Sequence, residues 1–111
     1  MARNKLTQKE AIFYQLYMAF KSTPGEYIPV FKFMGEVHSP ELGLWGFVSH
    51  ECSARSSEMR KENPELVEAT TITGKSGAKY FGYRFNPAAK FEMIRDEALQ
   101  SFYNRLKNAG V

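Results

Sequence analysis

The sequence predicts an α+β fold, with helices at both ends of the chain and a β-hairpin between them. Three observations carry this. Thr7-Gln8-Lys9-Glu10 has the form of a capping box in front of an apolar run. Residues 66–85 change to β-branched and alternating residues around a glycine-bounded turn. Near the end, Phe91, Ile94, Ala98, Leu99, Phe102 and Leu106 recur at helical spacing. A chain of 111 residues fits one domain, and nine Phe and six Tyr supply a sizeable core.

The first helix is expected from Thr7 to about Ser22, where Pro24-Gly25 stops it. Ile12, Leu16 and Phe20 form one stripe, while Tyr14, Tyr17 and Met18 lie on other faces. A helix apolar nearly all round is packed on several sides, either in the core or against a second copy. Next, Ile28-Pro29 reads as a short strand, followed by a short helix with Pro29 near its first turn. Ser39-Pro40-Glu41, Gly43 and Gly46 mark a turn region. From about Phe47 to Glu62 the spacing is helical, with Val48, Cys52 and Met59 on one side, and Asn63-Pro64 ends it.

Residues 66–73 and 78–85 pair as a hairpin around Gly74-Lys75-Ser76-Gly77, with Phe81, Tyr83 and Phe85 on one face. Asn86-Pro87 resembles a cap and first-turn proline for a last helix that runs to about Asn108. Its apolar stripe packs on the same domain or on a second copy, which makes a homodimer an expected assembly.

Composition excludes several classes. No apolar run approaches a membrane span. The single cysteine, Cys52, forbids an internal disulfide, and with no secretory leader visible a cytoplasmic location is expected. His50 and Cys52 lie about 200° apart on a helix, too far to share a metal ion, so no metal or other cofactor is expected. No arrangement of Ser, His and carboxylate argues for an enzyme. Ala69-Thr-Thr-Ile-Thr-Gly74-Lys75-Ser76 imitates a phosphate loop, but Gly77 and an alternating strand follow where that motif needs a helix.

The excess of basic over acidic residues is only three, but it is unevenly placed. Arg3, Lys5 and Lys9 precede the first acid, and residues 69–91 hold Lys75, Lys79, Arg84 and Lys90 with none. Clustered cations of this kind suit a polyanion. On the predicted helix, His50, Ser53, Ser57, Arg60 and Lys61 fall within about 100° of arc. Ser49 lies near the start of that helix, and Ser53, Ala54 and Ser57 are small enough for close approach to base edges. Arg60 is suited to guanine. Lys75, Ser76 and Lys79 sit at the hairpin tip, where phosphate contact is natural. Arg55 stands four residues after Glu51 and is expected to be a structural ion pair. Glu51, Glu58, Glu62, Glu65 and Glu68 are the counter-argument, since they would offset the basic face.

The segment Arg55-Ser56-Ser57-Glu58-Met59-Arg60-Lys61 resembles the R-x-S-E-L-R-K recognition-helix signature of small winged helix-turn-helix proteins of phages and mobile elements. Tyr83-Arg84-Phe85 stands where a Y-x-L-like strand closes their wing. The resemblance implies a winged helix-turn-helix domain over 1–86, with a three-helix core and a hairpin wing. The helix in 87–111 is an addition. It also implies double-stranded DNA binding through residues 49–61 and the wing at 74–79, with transcription regulation as the outcome. Residues 34–45 depart from the family, being longer than a tight helix–helix turn. A protein-interaction module is the alternative, for which Tyr14, Tyr17, Trp45, Tyr80 and Tyr103 are the candidate contacts.

Overall fold

A computed structural model describes residues 5–111; Arg3 of the basic start lies outside the described residues. The architecture is α+β, with three α-helices and two antiparallel sheets. Helix α1 (Gln8–Ser22) opens with the expected capping box: the Thr7 hydroxyl accepts from the Glu10 amide at 3.1 Å, and the Glu10 carboxylate accepts from the Thr7 amide at 2.9 Å. Ala11, Ile12, Phe13, Tyr14, Leu16 and Tyr17 are all buried, so α1 is the central core element.

Strand β1 (Ile28–Pro29) is followed by a single 3₁₀ turn (Val30–Phe33), in line with the strand-then-short-helix reading. The structure then departs from expectation. Strands β2 (Gly35–Ser39) and β3 (Leu44–Val48) form a hairpin where a turn region and the start of a helix were expected. The inward positions are Val37, Ser39, Leu44, Gly46 and Val48, while Glu36, His38, Trp45 and Phe47 point outward. Serine and glycine inside, with tryptophan and phenylalanine outside, invert the usual apolar alternation and hide the strands. Gly46 is small for a reason: the N-terminal segment crosses it, and the Leu6 amide donates to Trp45 O at 2.6 Å.

Helix α2 spans Cys52–Glu62, not 47–62, because Phe47 and Val48 are taken into the ladder opposite Glu36 and Gly35. Strands β4 (Val67–Thr73) and β5 (Lys79–Phe85) form the expected hairpin, with Thr73 opposite Lys79 and Val67 opposite Phe85. Strand β1 adds to β5, giving the order β1-β5-β4.

The last helix also starts later than expected. The Asn86 side chain accepts from the Ala88 amide at 2.9 Å, but only a turn follows. A second 3₁₀ turn (Phe91–Met93) precedes α3 (Glu97–Asn108), which Asp96 caps. Buried Asn63 accounts for the delay. Its side-chain oxygen accepts from the Arg95 amide at 2.8 Å and its amide donates to Met59 O, tying the end of α2 to the approach to α3.

An aromatic core joins these elements. Phe13 of α1 meets Phe85 of β5 at 5.0 Å and Phe102 of α3 at 5.9 Å, and Phe91 stacks on Tyr103 at 4.8 Å. Leu99, Phe102 and Leu106 are buried by this packing. The apolar faces of the first and last helices, which suggested a homodimer, are therefore covered within one chain. Among the described residues no helix is long and apolar enough to cross a membrane.

Candidate nucleic-acid interface

Helix α2 turns Cys52, Ser56 and Met59 into the core and leaves two polar sides. One side is acidic and fully engaged. Arg55 bridges Glu58 at 3.0 Å and Glu51 at 3.6 Å, as its spacing predicted. Lys9 of α1 reaches Glu62 at 2.7 Å, Glu58 at 3.8 Å and the α3 cap Asp96 at 3.9 Å. The hydrogen bond to Glu62 holds the Lys9 ammonium above its ordinary pKa against the opposing effect of burial. Of these groups, Lys9, Glu51, Arg55 and Asp96 line a cleft of about 560 Å³ between the starts of α1 and α3.

The other two acids are also occupied. Glu65 pairs with Arg95 at 3.7 Å and Glu68 with Arg84 at 2.8 Å. Arg84 also donates to Gly25 O at 2.7 Å and lies 4.4 Å from the Tyr27 ring centre, so it is a structural residue of the sheet. Thus each of the five glutamates that weighed against a polyanion partner is matched by Lys9, Arg55, Arg84 or Arg95.

The second side of α2 carries Ser53, Ala54, Ser57, Arg60 and Lys61, spread over about 120° of arc. Ser53, Ala54, Arg60 and Lys61 are exposed and Ser57 is half-buried. Arg60 and Lys61 have no ion-pair partner among the described residues. The hairpin tip is similarly open. Lys75, Ser76 and Lys79 are exposed, with no side-chain partner among the described residues, on a turn closed by the Gly74 amide to Ala78 O and by Gly77 at φ 83°. That turn runs into a strand, so no helix N-terminus stands behind Lys75-Ser76 to cradle a phosphate.

Two candidates sit elsewhere than expected. Ser49 and His50 precede α2 in the connection from β3. Ser49 is a fastening: its hydroxyl donates to Gln8 Oε1 at 3.0 Å and accepts from the Glu51 amide at 3.2 Å. His50 is exposed at the approach to the helix. Cys52 is buried, and no His, Cys, Asp and Glu cluster among the described residues is arranged to hold a metal.

The structure adds Thr71 and Phe81 to the candidate residues. Val67, Ala69, Tyr83 and Phe85 line the sheet face that carries the core. Helix α2 packs against β4, and its buried Cys52 and Met59 join Val67 and Tyr83 in one core; burial pushes the Tyr83 hydroxyl up, against the opposing Arg60 charge. Beyond the edge of the helix the same face continues with the cross-strand pair Thr71–Phe81 and then Thr73–Lys79. Phe81 is 53% exposed. The alternation that turned Tyr83 and Phe85 inward already placed Phe81 on this face.

No family model, curated protein or solved structure matches the chain.

Proposed function

We propose that the protein binds double-stranded DNA, with α2 in the major groove and the β4–β5 hairpin beside it as a wing, and regulates transcription by occupying its site. The separation of charge on α2 carries this reading. Glu51, Glu58, Glu62, Glu65 and Glu68 are matched by Lys9, Arg55, Arg84 and Arg95, while Arg60, Lys61, Lys75 and Lys79 have no ion-pair partner among the described residues. The chain order is partly compatible with it: α1, β1, a 3₁₀ turn, the β2–β3 hairpin, α2 and then the β4–β5 hairpin, with β1 added to the outer edge of that last hairpin. It resembles the winged-helix order except that a 3₁₀ turn and the β2–β3 hairpin stand where that order has a second helix.

Ser53, Ala54 and Ser57 let the α2 backbone approach base edges, and Arg60 is the residue suited to guanine. Lys75 and Lys79 supply sequence-independent phosphate contacts. One copy is the binding unit, since α1 and α3 cover each other's apolar faces.

The test is binding to random-sequence duplex at two salt concentrations. Affinity should fall steeply with salt for the wild type, and Arg60→Ala/Lys61→Ala should weaken it. Lys75→Ala/Lys79→Ala should weaken it and lower the salt slope by about two. No measurable binding at low salt would overturn the reading. The outer face of β2–β3 would then lead, as a protein-docking surface: Trp45 is 41% and Phe47 56% exposed there. Of the other aromatic residues expected to serve that role, Tyr14 and Tyr17 are buried in the core.

A further inference from the structure

Phe81 is an exposed phenyl ring in a cationic setting. It lies on the sheet face that α2 covers, with its ring centre 6.5 Å from that of buried Tyr83. Lys79 is two residues further along the same face, toward the tip. Helix α2, with exposed Arg60, packs against the neighbouring strand β4. Opposite Phe81 stands Thr71, which adds a methyl group to the same ledge. A ligand for this ledge must place an apolar group between anionic ones. In duplex DNA the thymine C5-methyl, exposed in the major groove between two phosphate backbones, has that character, and it is read by apolar contact with residues such as Phe and Thr.

Resting on the duplex-binding reading, we propose that Phe81 and Thr71 form a thymine-methyl contact, so that the root of the wing reads sequence in the groove occupied by α2. The wing is then divided by function. Its tip lysines hold phosphate whatever the sequence, and its inner face discriminates.

The experiment compares a short alternating A–T duplex with the same duplex carrying uracil for thymine, which keeps base pairing and removes the methyl groups. The wild type should bind the thymine duplex more tightly, by about four-fold for each methyl contacted. Phe81→Ala should bind the two duplexes with more nearly equal affinity, with its fold checked by circular dichroism. Lys75→Ala/Lys79→Ala should weaken both and preserve their ratio. Equal wild-type affinities overturn the methyl contact alone, and this arm needs no variant. Survival of the full ratio in folded Phe81→Ala overturns it too. Failure of the wild type to bind either duplex at low salt overturns the duplex-binding reading and this contact with it.

Discussion

The two hairpins of the molecule share an antiparallel ladder and differ in what holds their tips. The β2–β3 turn is bolted to the core: the Tyr14 hydroxyl of α1 donates to Glu41 at 2.8 Å, Ser39 donates to the same carboxylate at 3.4 Å, and Leu44 is buried. The β4–β5 turn is closed only by its own backbone, and its side chains are cations in solvent. Its strands, by contrast, are fixed: Phe85 packs against Phe13, Phe20 and Phe91, β1 pairs with β5, and Tyr80 meets Phe31 at 5.1 Å. The difference separates architecture from reach. A turn whose polar groups are matched inside the chain has little left for a partner, whereas an unmatched, charged turn on a rigid root is free to meet one.

The largest effect expected is at that root. Phe85→Ala removes a fully buried ring shared by three aromatic neighbours and should cost about 3–5 kcal/mol in denaturant unfolding. A loss of less than about 1 kcal/mol would mean that the wing is not anchored in the core, and the contrast between root and tip would collapse.

A smaller effect distinguishes the ladders themselves, since each holds a glycine under a close neighbour. At Gly46 of β3 an added Cβ would stand 2.8 Å from Leu6 Cβ and 2.9 Å from Leu6 O, and backbone is hard to move. At Gly82 of β5 it would stand 2.5 Å from Ile72 Cδ1, the end of a side chain that can turn away. Gly46→Ala should therefore lose about 1–3 kcal/mol. Gly82→Ala should lose less than about 1 kcal/mol, because alanine also recovers backbone entropy. Thermal melts of the two variants give the ranking, and the reverse order would show β5 to be the more rigid ladder.

The same contrast explains what was legible in the sequence. The β4–β5 hairpin was readable because its pattern follows the ordinary rules: β-branched strands, a glycine-bounded turn, and alternation with Tyr83 and Phe85 inward. The β2–β3 hairpin was not, because it turns Gly46 and Ser39 inward to admit the N-terminal segment and the Glu41 network, and leaves Trp45 and Phe47 outside. With those strands unrecognised, Phe47 and Val48 were assigned to the following helix, which carried Ser49 and His50 onto it. The last helix was misplaced for a related reason. Asn86-Pro87 has the local chemistry of a helix start, but a turn and a 3₁₀ turn follow it, and a long-range bond from the Arg95 amide to Asn63 ties down the approach to α3, which begins only after Asp96. At the candidate site, spacing found the polar arc of α2 and the intrahelical pair of Arg55. The partners of Glu62, Glu65 and Glu68 come from distant segments, and only the folded chain brings them together.

The mildest test acts on the bolt of the first hairpin. Tyr14 is pushed up to about 12, first by burial and then by the Glu41 carboxylate that its hydroxyl faces. Hydrogen bonding in turn holds Glu41 below its ordinary value, first through its own backbone amide and then through Tyr14. Tyr14→Phe keeps the buried ring and removes the bond, and because Glu41 is exposed and regains water the cost at neutral pH should be about 0.5–1.5 kcal/mol. The pH dependence gives the sharper signature. A hydroxyl whose folded pKa lies above its unfolded value contributes stability that is complete below about pH 10 and is lost as pH rises through about 12. The wild type should lose that contribution over this window and the variant has none to lose, so the gap between them should close. Tyr17 and Tyr83, also raised by burial, titrate in both proteins and cancel in the difference. A gap that stays constant from neutral pH to about pH 12 would mean that the Tyr14–Glu41 bond does not hold the turn, and that the first hairpin is no more firmly bolted than the second.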